Sequence, residues 1–536
     1  MNMYGRATRS VGALLRFGRG TRLCRALLGL ALTSSVVVVA FGQTAQASPS
    51  RNGGTLTVAE NFNFYGSWPS LDPVTSTHSL GEAPFFDAIF GDLFEQGSHG
   101  QIIPDLATGY GFTNGGRTFV IHLRHGVSFS DGTPFNAAAV ASNFQRNLDP
   151  KNASTALQTF SAVSSVTTPD NYTVDLNLSQ LDAELPYAFL TYPTNYVVDP
   201  TALQQMGLQA YSVKPVGAGP FMVQSNQPSQ TLVLQRNPHY WQKGHPLLQT
   251  LKFISVATDE TAYDALQTGQ VQAYQAYGNL GTLSSIVKQH KVRVTAGPAA
   301  FGAAFILLNS KAPPFNNILA REAIYYATNP EPINRAVAGG RGVSAQSPSI
   351  PGGLYYEKNV PGYRTYNLAK AKALVKQLGG LKFTIFGKQQ LPQAETVQAL
   401  KSEWAQAGMD VTIGPPLSSP QLLQSLRSGT WQADVEATGG FDPALGVGLP
   451  LYFIPSSPFA VVNDPTLVNM IHQAGGTLNA AQRRTSYESI WKYISDKAYA
   501  PFLYDTPFYN LSVSSVTIPG LTTYGYQALW QNATVR

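Results

Sequence analysis

Residues Lys214–Gly244 read KPVGAGPFMVQSNQPSQTLVLQRNPHYWQKG. Gly217, Gly219 and Pro220 allow a sharp backbone turn, and the turn lacks the Lys-Ser/Thr of a phosphate-binding loop. Two alternating strands follow. In the second, Leu232 and Leu234 fall on one side, and Asn237-Pro238 ends it. Tyr240 and Trp241 are expected to pack as core anchors. Such a stretch suits a return point, where the chain re-enters a domain begun near residue 52.

Downstream, Leu251 to Val256 reads as a strand. Thr258, Asp259 and Glu260 then start a helix with acidic residues at its positive end, and the helix closes at Gly269. Val271 to Tyr274 completes a strand–helix–strand unit of the parallel crossover kind. After Gly297-Pro298 the pattern renews with a strand at Phe305 to Leu308. Pro313-Pro314-Phe315 leads into a helix containing Arg321, Ala323, Ile324 and Ala327. Residues 336–361 are loop-like, and connections of that length are often functional.

The part from Asn367 to Ala437 is the most regular. Helices capped by Asn367 and running over Pro392–Gly408 and Pro420–Gly429 alternate with strands at Leu381–Ile385, Met409–Ile413 and Trp431–Val435. Such alternation predicts an open, mostly parallel α/β sheet, whose ligands bind beyond the carboxyl ends of strands. Here that end is Gly439, Gly440, Phe441 and Asp442, bare backbone plus one carboxylate. Asp442 is the foremost candidate for ligand contact, with a turn cap before Pro443 as the alternative. Asp434, inside the strand, is expected to be structural.

Upstream, Gly53-Gly54 precedes a strand at Thr55 to Ala59. The loop after it carries Phe64, Tyr65 and Trp68, aromatic rings that could line a pocket or plug a core edge. Leu71-Asp72-Pro73 is a turn. Phe85 to Phe94 has helical spacing, and Thr118–Arg124 and Tyr172–Leu178 alternate as strands. Thr133 is expected to cap a helix with Pro134 at its first position. His122 and His125 fall on opposite strand faces, so no metal pair is read from them. Aromatic stacking on a ligand is assigned to Trp431, Phe64, Tyr65 and Trp68, with Tyr504 as a further candidate.

Residues 1–47 read as a secretion signal: six arginines without an acidic residue, an apolar run from Ala26 to Gly42, and a small-x-small site at Ala45-Gln46-Ala47 before Ser48. Removing those six from the 36 lysines and arginines leaves 30, against 30 acidic residues. The remaining chain is therefore near neutral and carries no nucleic-acid footprint. Cys24 is the only cysteine and leaves with the leader, so disulfides, thiolate nucleophiles and Cys-ligated metals are excluded. No lipid anchor is read, and the protein is expected outside the cytoplasm, in the periplasm or beyond it.

Several short pieces, in order and well spaced, make the chain resemble family 5 of the extracellular solute-binding proteins, the oligopeptide-, dipeptide- and nickel-binding group of ABC importers. They include Gly53-Gly54-Thr55-Leu56, Leu71-Asp72-Pro73, Ile103-Pro104-Asp105-Leu106-Ala107, and Leu123-Arg124-His125-Gly126-Val127 with Phe129-Ser130-Asp131-Gly132. Gly217-Ala218-Gly219-Pro220-Phe221, Arg236-Asn237-Pro238 with Tyr240-Trp241, and Arg321-Glu322-Ala323-Ile324 continue the series. The resemblance implies a bilobal, periplasmic-binding-protein-like α/β fold of three hinge-connected domains. Domain I would comprise residues 48–82, 213–303 and 497–536, domain II the insertion 83–212, and domain III residues 304–496.

Two departures stand out. Ala137-Ala138-Ala139-Val140 replaces the family's acidic pair after the Asp-Gly turn. Peptide binders also tend to carry Gly-Trp and then an acidic residue that holds the peptide amine. This chain has Gly439-Gly440-Phe441-Asp442-Pro443, with no tryptophan. The expected function is capture of a peptide or peptide-like solute between two lobes and delivery to an ABC permease, by a monomer without cofactor or metal. The alternatives are a neutral oligosaccharide or other non-peptide solute on the same fold, and a secreted hydrolase. The chain lacks Gly-x-Ser-x-Gly and His-Glu-x-x-His.

Overall fold

The computed structural model describes residues 53–536 apart from 62–69, 76–81, 99, 191–192, 277–291, 350, 352, 388–392, 416, 418, 438–448, 450–451, 456, 458–459 and 521–527. Its centre is an eleven-stranded sheet. In chain order the strands are β1 (Thr55–Glu60), β2 (Phe221–Gln227), β3 (Thr231–Arg236), β4 (Thr250–Ser255), β5 (Ala273–Ala276) and β6 (Val292–Leu308). They continue as β7 (Val343–Ser344), β8 (Lys382–Phe386), β9 (Asp410–Ile413), β10 (Ala433–Ala437) and β11 (Phe502–Val513). Across the sheet the order is β9-β8-β10-β6-β11-β5-β1-β4-β3-β2, with β7 beside β11.

Two halves of this sheet follow from two patterns in the sequence. In the first, β4 and β5 flank β1 and run parallel to it. That arrangement requires a crossover, which the helix Asp259–Thr268 supplies. The Thr258 hydroxyl caps this helix through the Thr261 amide, and Gly269 (φ +77°) stops it. In the second half, β8 lies parallel between β9 and β10, and the helices Leu368–Gln377, Gln393–Gln406 and Ser419–Ser428 alternate with these strands. Val397, Leu400 and Trp404 share one buried helix face, spaced as the apolar period requires.

Among the described strands, β6 and β11 join the halves within the sheet. The start of β6 pairs with the end of β11 next to β5, and the end of β6 pairs with β10. Their register shifts between Ala296 and Ala299, between Ala299 and Ala303, and again between Ala304 and Phe305. The expected fresh start after Gly297-Pro298 is thus corrected: β6 runs straight through the dipeptide. A proline breaks a ladder by removing one N–H, and a register shift is where a strand can accommodate that loss.

A separate antiparallel sheet forms from Ala107–Thr113, Thr118–Leu123, Thr173–Leu178 and Val163–Asp170, in that spatial order. The helix Ala137–Leu148 accompanies it, and here the expected Thr133 cap is also corrected. Asn136 caps, its side chain accepting from the Ala139 amide at 3.0 Å. The Thr133 hydroxyl is engaged instead by Asp131 and Asp199.

Lys214–Gly244 ties these parts together. Gly217 and Gly219 lie against the last turn of the helix Ala83–Phe90, and the Gly219 amide donates to the Ile89 carbonyl at 3.0 Å. Neither glycine has a positive φ. They are needed because a Cβ on Gly217 would sit 2.2 Å from the Ile89 oxygen, and one on Gly219 would sit 2.7 Å from the Ala88 oxygen. Buried Asn237 then fixes the turn from both sides. Its amide donates to the Pro220 carbonyl at 2.9 Å and its Nδ2 to the Gly219 carbonyl at 2.8 Å. Tyr240 and Trp241, expected as core anchors, are half-buried. The Arg124 guanidinium covers the Trp241 ring at 4.0 Å.

Candidate functional site

The register of β6 and β11 locates the site. In the first half β1 and β5 run parallel, and β5 ends at Ala276 opposite Tyr509 of β11. In the second half β8 and β10 run parallel, and β10 ends at Ala437 opposite Ala304 of β6. Tyr509, opposite Ala296, and Ala304 flank the first two register shifts from opposite sides. The carboxyl ends of the parallel strands in both halves therefore point at one place, the crossing of β6 and β11. That is where open α/β sheets bind their ligands.

The candidates Phe64, Tyr65 and Trp68 follow β1, and Gly439, Gly440, Phe441 and Asp442 follow β10. All seven lie outside the described residues, but the strands they leave end at this crossing. Trp431 and Tyr504 are described, and both rings are buried, at 2 % and 1 % exposure. Trp431 packs in the core with Phe305, Tyr452 and Phe453, and its carbonyl accepts from Asn309 Nδ2 at 2.8 Å. Tyr504 fits against Gly342, where a Cβ would lie 2.8 Å from its ring. Its hydroxyl is 3.4 Å from that of Thr396, and burial pushes the phenol up to about 12. In this structure neither ring offers an open face. Asp434 is fully buried in β10.

Some neighbours of the crossing were not found from the sequence. Within the loop 336–361, β7 pairs with β11 at Tyr504 and Asp505, and the Arg341 guanidinium lies 5.3 Å from the Tyr509 ring centre. Glu60 was legible by phase, because Leu56, Val58 and Glu60 alternate onto one buried face of β1.

A second tie connects segments far apart in the chain. Glu184 precedes the short helix Leu185–Ala188, and Arg483 lies in the helix Ala480–Asp496. Arg483 Nε sits 2.9 Å from Glu184 Oε1, with both side chains under a tenth exposed. The Tyr355 hydroxyl donates to the same carboxylate at 3.0 Å, and the Ala183 amide donates to the Gly475 carbonyl at 2.7 Å. Burial pushes the Glu184 carboxyl up to about 8, although Arg483 pulls it down.

Among the described residues no group of three or more His, Cys, Asp or Glu side chains could hold a metal. Nor is any described helix long and apolar enough to cross a membrane.

A sheet in two halves, joined by two strands with strand ends converging on the junction, defines a binding protein of the two-lobed kind. Residues 101–456 match the family described as bacterial extracellular solute-binding proteins, family 5 Middle. The chain belongs to that family. It is 27 % identical over 485 residues to the glutathione-binding protein GsiB of Pectobacterium atrosepticum, covering 85 % of this chain and 90 % of that protein. Among solved structures it resembles AgaA of A. tumefaciens in complex with agropinic acid, at 23 % identity and TM-score 0.75, covering 90 % of this chain and 99 % of that one. It also resembles DppA of Helicobacter pylori in complex with the peptide STSA, at 22 % identity and TM-score 0.74, covering 91 % and 99 %. These two likenesses concern the fold.

Proposed function

We propose that this protein captures a peptide or peptide-like solute outside the cytoplasm, encloses it at the crossing of β6 and β11, and hands it to an ABC permease. The carrying observation is the convergence of strand ends from both halves on that crossing. The relative named for glutathione binding and the neighbour holding a peptide support a peptide-like solute. On this reading β6 and β11 act as the hinge of a closure motion, and the sequence divides into domain pieces at residues 48–82, 83–212, 213–303, 304–496 and 497–536. The leader is cleaved near Ala47 and Ser48. The protein works as a monomer, binds no nucleic acid and catalyses nothing.

Denaturing mass spectrometry of the purified secreted chain tests this. An intact peptide-like solute, released unchanged and rebound with a tryptophan fluorescence shift, is the expected result. Turnover of a peptide or glycan library would overturn it in favour of a hydrolase. A second reading, a neutral oligosaccharide or other non-peptide solute, is favoured by the missing Gly-Trp-acidic segment, and the neighbour solved with agropinic acid is compatible with it. The same spectrum separates the two readings.

Asp442 is proposed as the ligand-contacting carboxylate. Asp442→Ala should weaken binding of the retained solute by more than about 1 kcal/mol, the scale of a charge-assisted hydrogen bond. Unchanged affinity in calorimetry would leave Asp442 as a turn cap alone.

A further inference from the structure

The buried face of β1 ends on a carboxylate. Register carries a polar row from it across three neighbouring strands: Glu60 lies one residue beyond the Ala59–Tyr274 pair, next to Gln275, which pairs with Asn510, which pairs with Thr295. These residues line a cavity of about 310 Å³ whose other walls include Val58, Pro84, Val516 and Trp530. Glu60 is 3 % exposed. No hydrogen bond or ion pair from a described residue reaches its carboxylate, and burial alone pushes the group up to about 8.

Arg293, the other charged side chain among the described wall residues, is exposed and donates to the Ser514 carbonyl at 3.3 Å. Tyr274 belongs to the opposite face of β5, where its phenol bonds Asp259. A carboxylate held from water without a partner opposes folding. Its place at the base of an apolar-walled cavity suits a counter-charge that arrives with a ligand. The described walls supply one carboxylate beside neutral amide and hydroxyl oxygens, a charge that a single monovalent head balances.

We propose that this cavity binds an organic cation, an ammonium or guanidinium head on an alkyl stem. The head meets Glu60 beside the side-chain amides of Gln275 and Asn510, and the stem lies against Trp530 and Val516. Two sources share this chemistry: a cationic arm of the solute held at the crossing, or a separate small amine.

Calorimetric titration of the full secreted chain with n-pentylammonium and with neutral pentanol tests the proposal. Pentylammonium should bind at least tenfold more tightly than pentanol at pH 8.5. Glu60→Gln, checked for folding by circular dichroism, should lose that tenfold and leave pentanol unaffected. In the wild type the ammonium affinity should fall by about tenfold per pH unit below 8, as Glu60 takes up its proton, and stay level in Glu60→Gln. If Glu60→Gln does not fold, Ile518→Phe, which fills the cavity from its wall, should abolish binding with the carboxylate intact.

Equal affinities for pentanol and pentylammonium, or a folded Glu60→Gln that keeps the wild-type affinity, would overturn the cation site. Displacement of the retained solute by pentylammonium identifies the first source, and simultaneous binding the second. Solute retention itself is read by mass spectrometry, so failure of the cation site and failure of solute capture remain distinguishable.

Discussion

Gly217→Ala should lower the unfolding free energy by about 3 kcal/mol, at the upper end of what overpacking costs. The reason is the partner it meets. A methyl group there would approach the Ile89 carbonyl oxygen to 2.2 Å, and Ile89 C and Phe90 Cα to 2.8 Å. All three are backbone atoms of a buried helix, with no flexible side chain that could swing aside. Relief would require the return stretch to move off the helix Ala83–Phe90. That would break the hydrogen bonds from the Gly219 amide to Ile89 and from the Ser130 amide to Gly217. Gly219→Ala should behave alike, since its Cβ meets Ala88, Ile89 and Gly91 backbone atoms at 2.7 Å. Gly109→Ala, with nothing within 4 Å, is the control and should be near neutral. Urea midpoints at constant slope measure all three. A Gly217→Ala protein within about 0.5 kcal/mol of wild type, the range of an ordinary surface change, would show that the approach is looser than described.

The second large effect belongs to Arg483. Arg483→Met keeps the stem but removes the charge. It strips a partner from Glu184 and Tyr355 and a donor from the Thr477 and Leu478 carbonyls. Burial has raised Glu184 from 4.5 to about 8, so the folded protein holds this proton more tightly than the unfolded chain. This group's share of wild-type stability therefore declines as pH rises from about 4.5 to about 8 and is level above that. Without Arg483 the carboxyl rises further, because the arginine pulls it down. The gap between wild type and Arg483→Met should accordingly widen as pH passes 8. It should be about 2 kcal/mol below that point, from lost hydrogen bonds, and about 3–5 kcal/mol above it, where a buried charge loses its partner. Denaturant titrations at pH 6.5 and 9 measure the gap. A gap that narrows with pH would mean that Arg483 does not act on an ionisable Glu184. The contact bridges segments that the proposed closure brings together, so Arg483→Met should also release retained solute several-fold faster.

What could be read in advance was whatever depends on near neighbours in the chain. Thr258 and Asn367 cap the helices expected of them, because an N-cap needs only a side-chain oxygen and an amide three residues on. The phase of Leu232 and Leu234, and the buried face of Val397, Leu400 and Trp404, follow from backbone period alone. Asp72 is a turn residue by its sequence, and its Oδ1 accepts from the Val74 amide at 3.3 Å. The same carboxylate also holds Arg146 Nη2 at 2.7 Å, a bond across 74 residues that no local rule contains. Thr133 failed as a cap for the same reason: Asp199, distant in sequence, competes for its hydroxyl.

By itself the sequence determined the alternating α/β pattern, the caps at Thr258 and Asn367, the order of the pieces and the resemblance to family 5. The pattern and the caps rest on period and capping chemistry, which act over a few residues, and the resemblance rests on short motifs standing in family order along the chain. Only the tertiary structure decided that β6 passes through Gly297-Pro298, that Trp431 and Tyr504 are buried, and that Glu60 stands at the base of a cavity. It also decided that Gly217 and Gly219 answer to a helix rather than to a turn. Strand pairing and close packing bring together residues hundreds of positions apart, and which surfaces meet is fixed by mutual burial, which no window along the chain records.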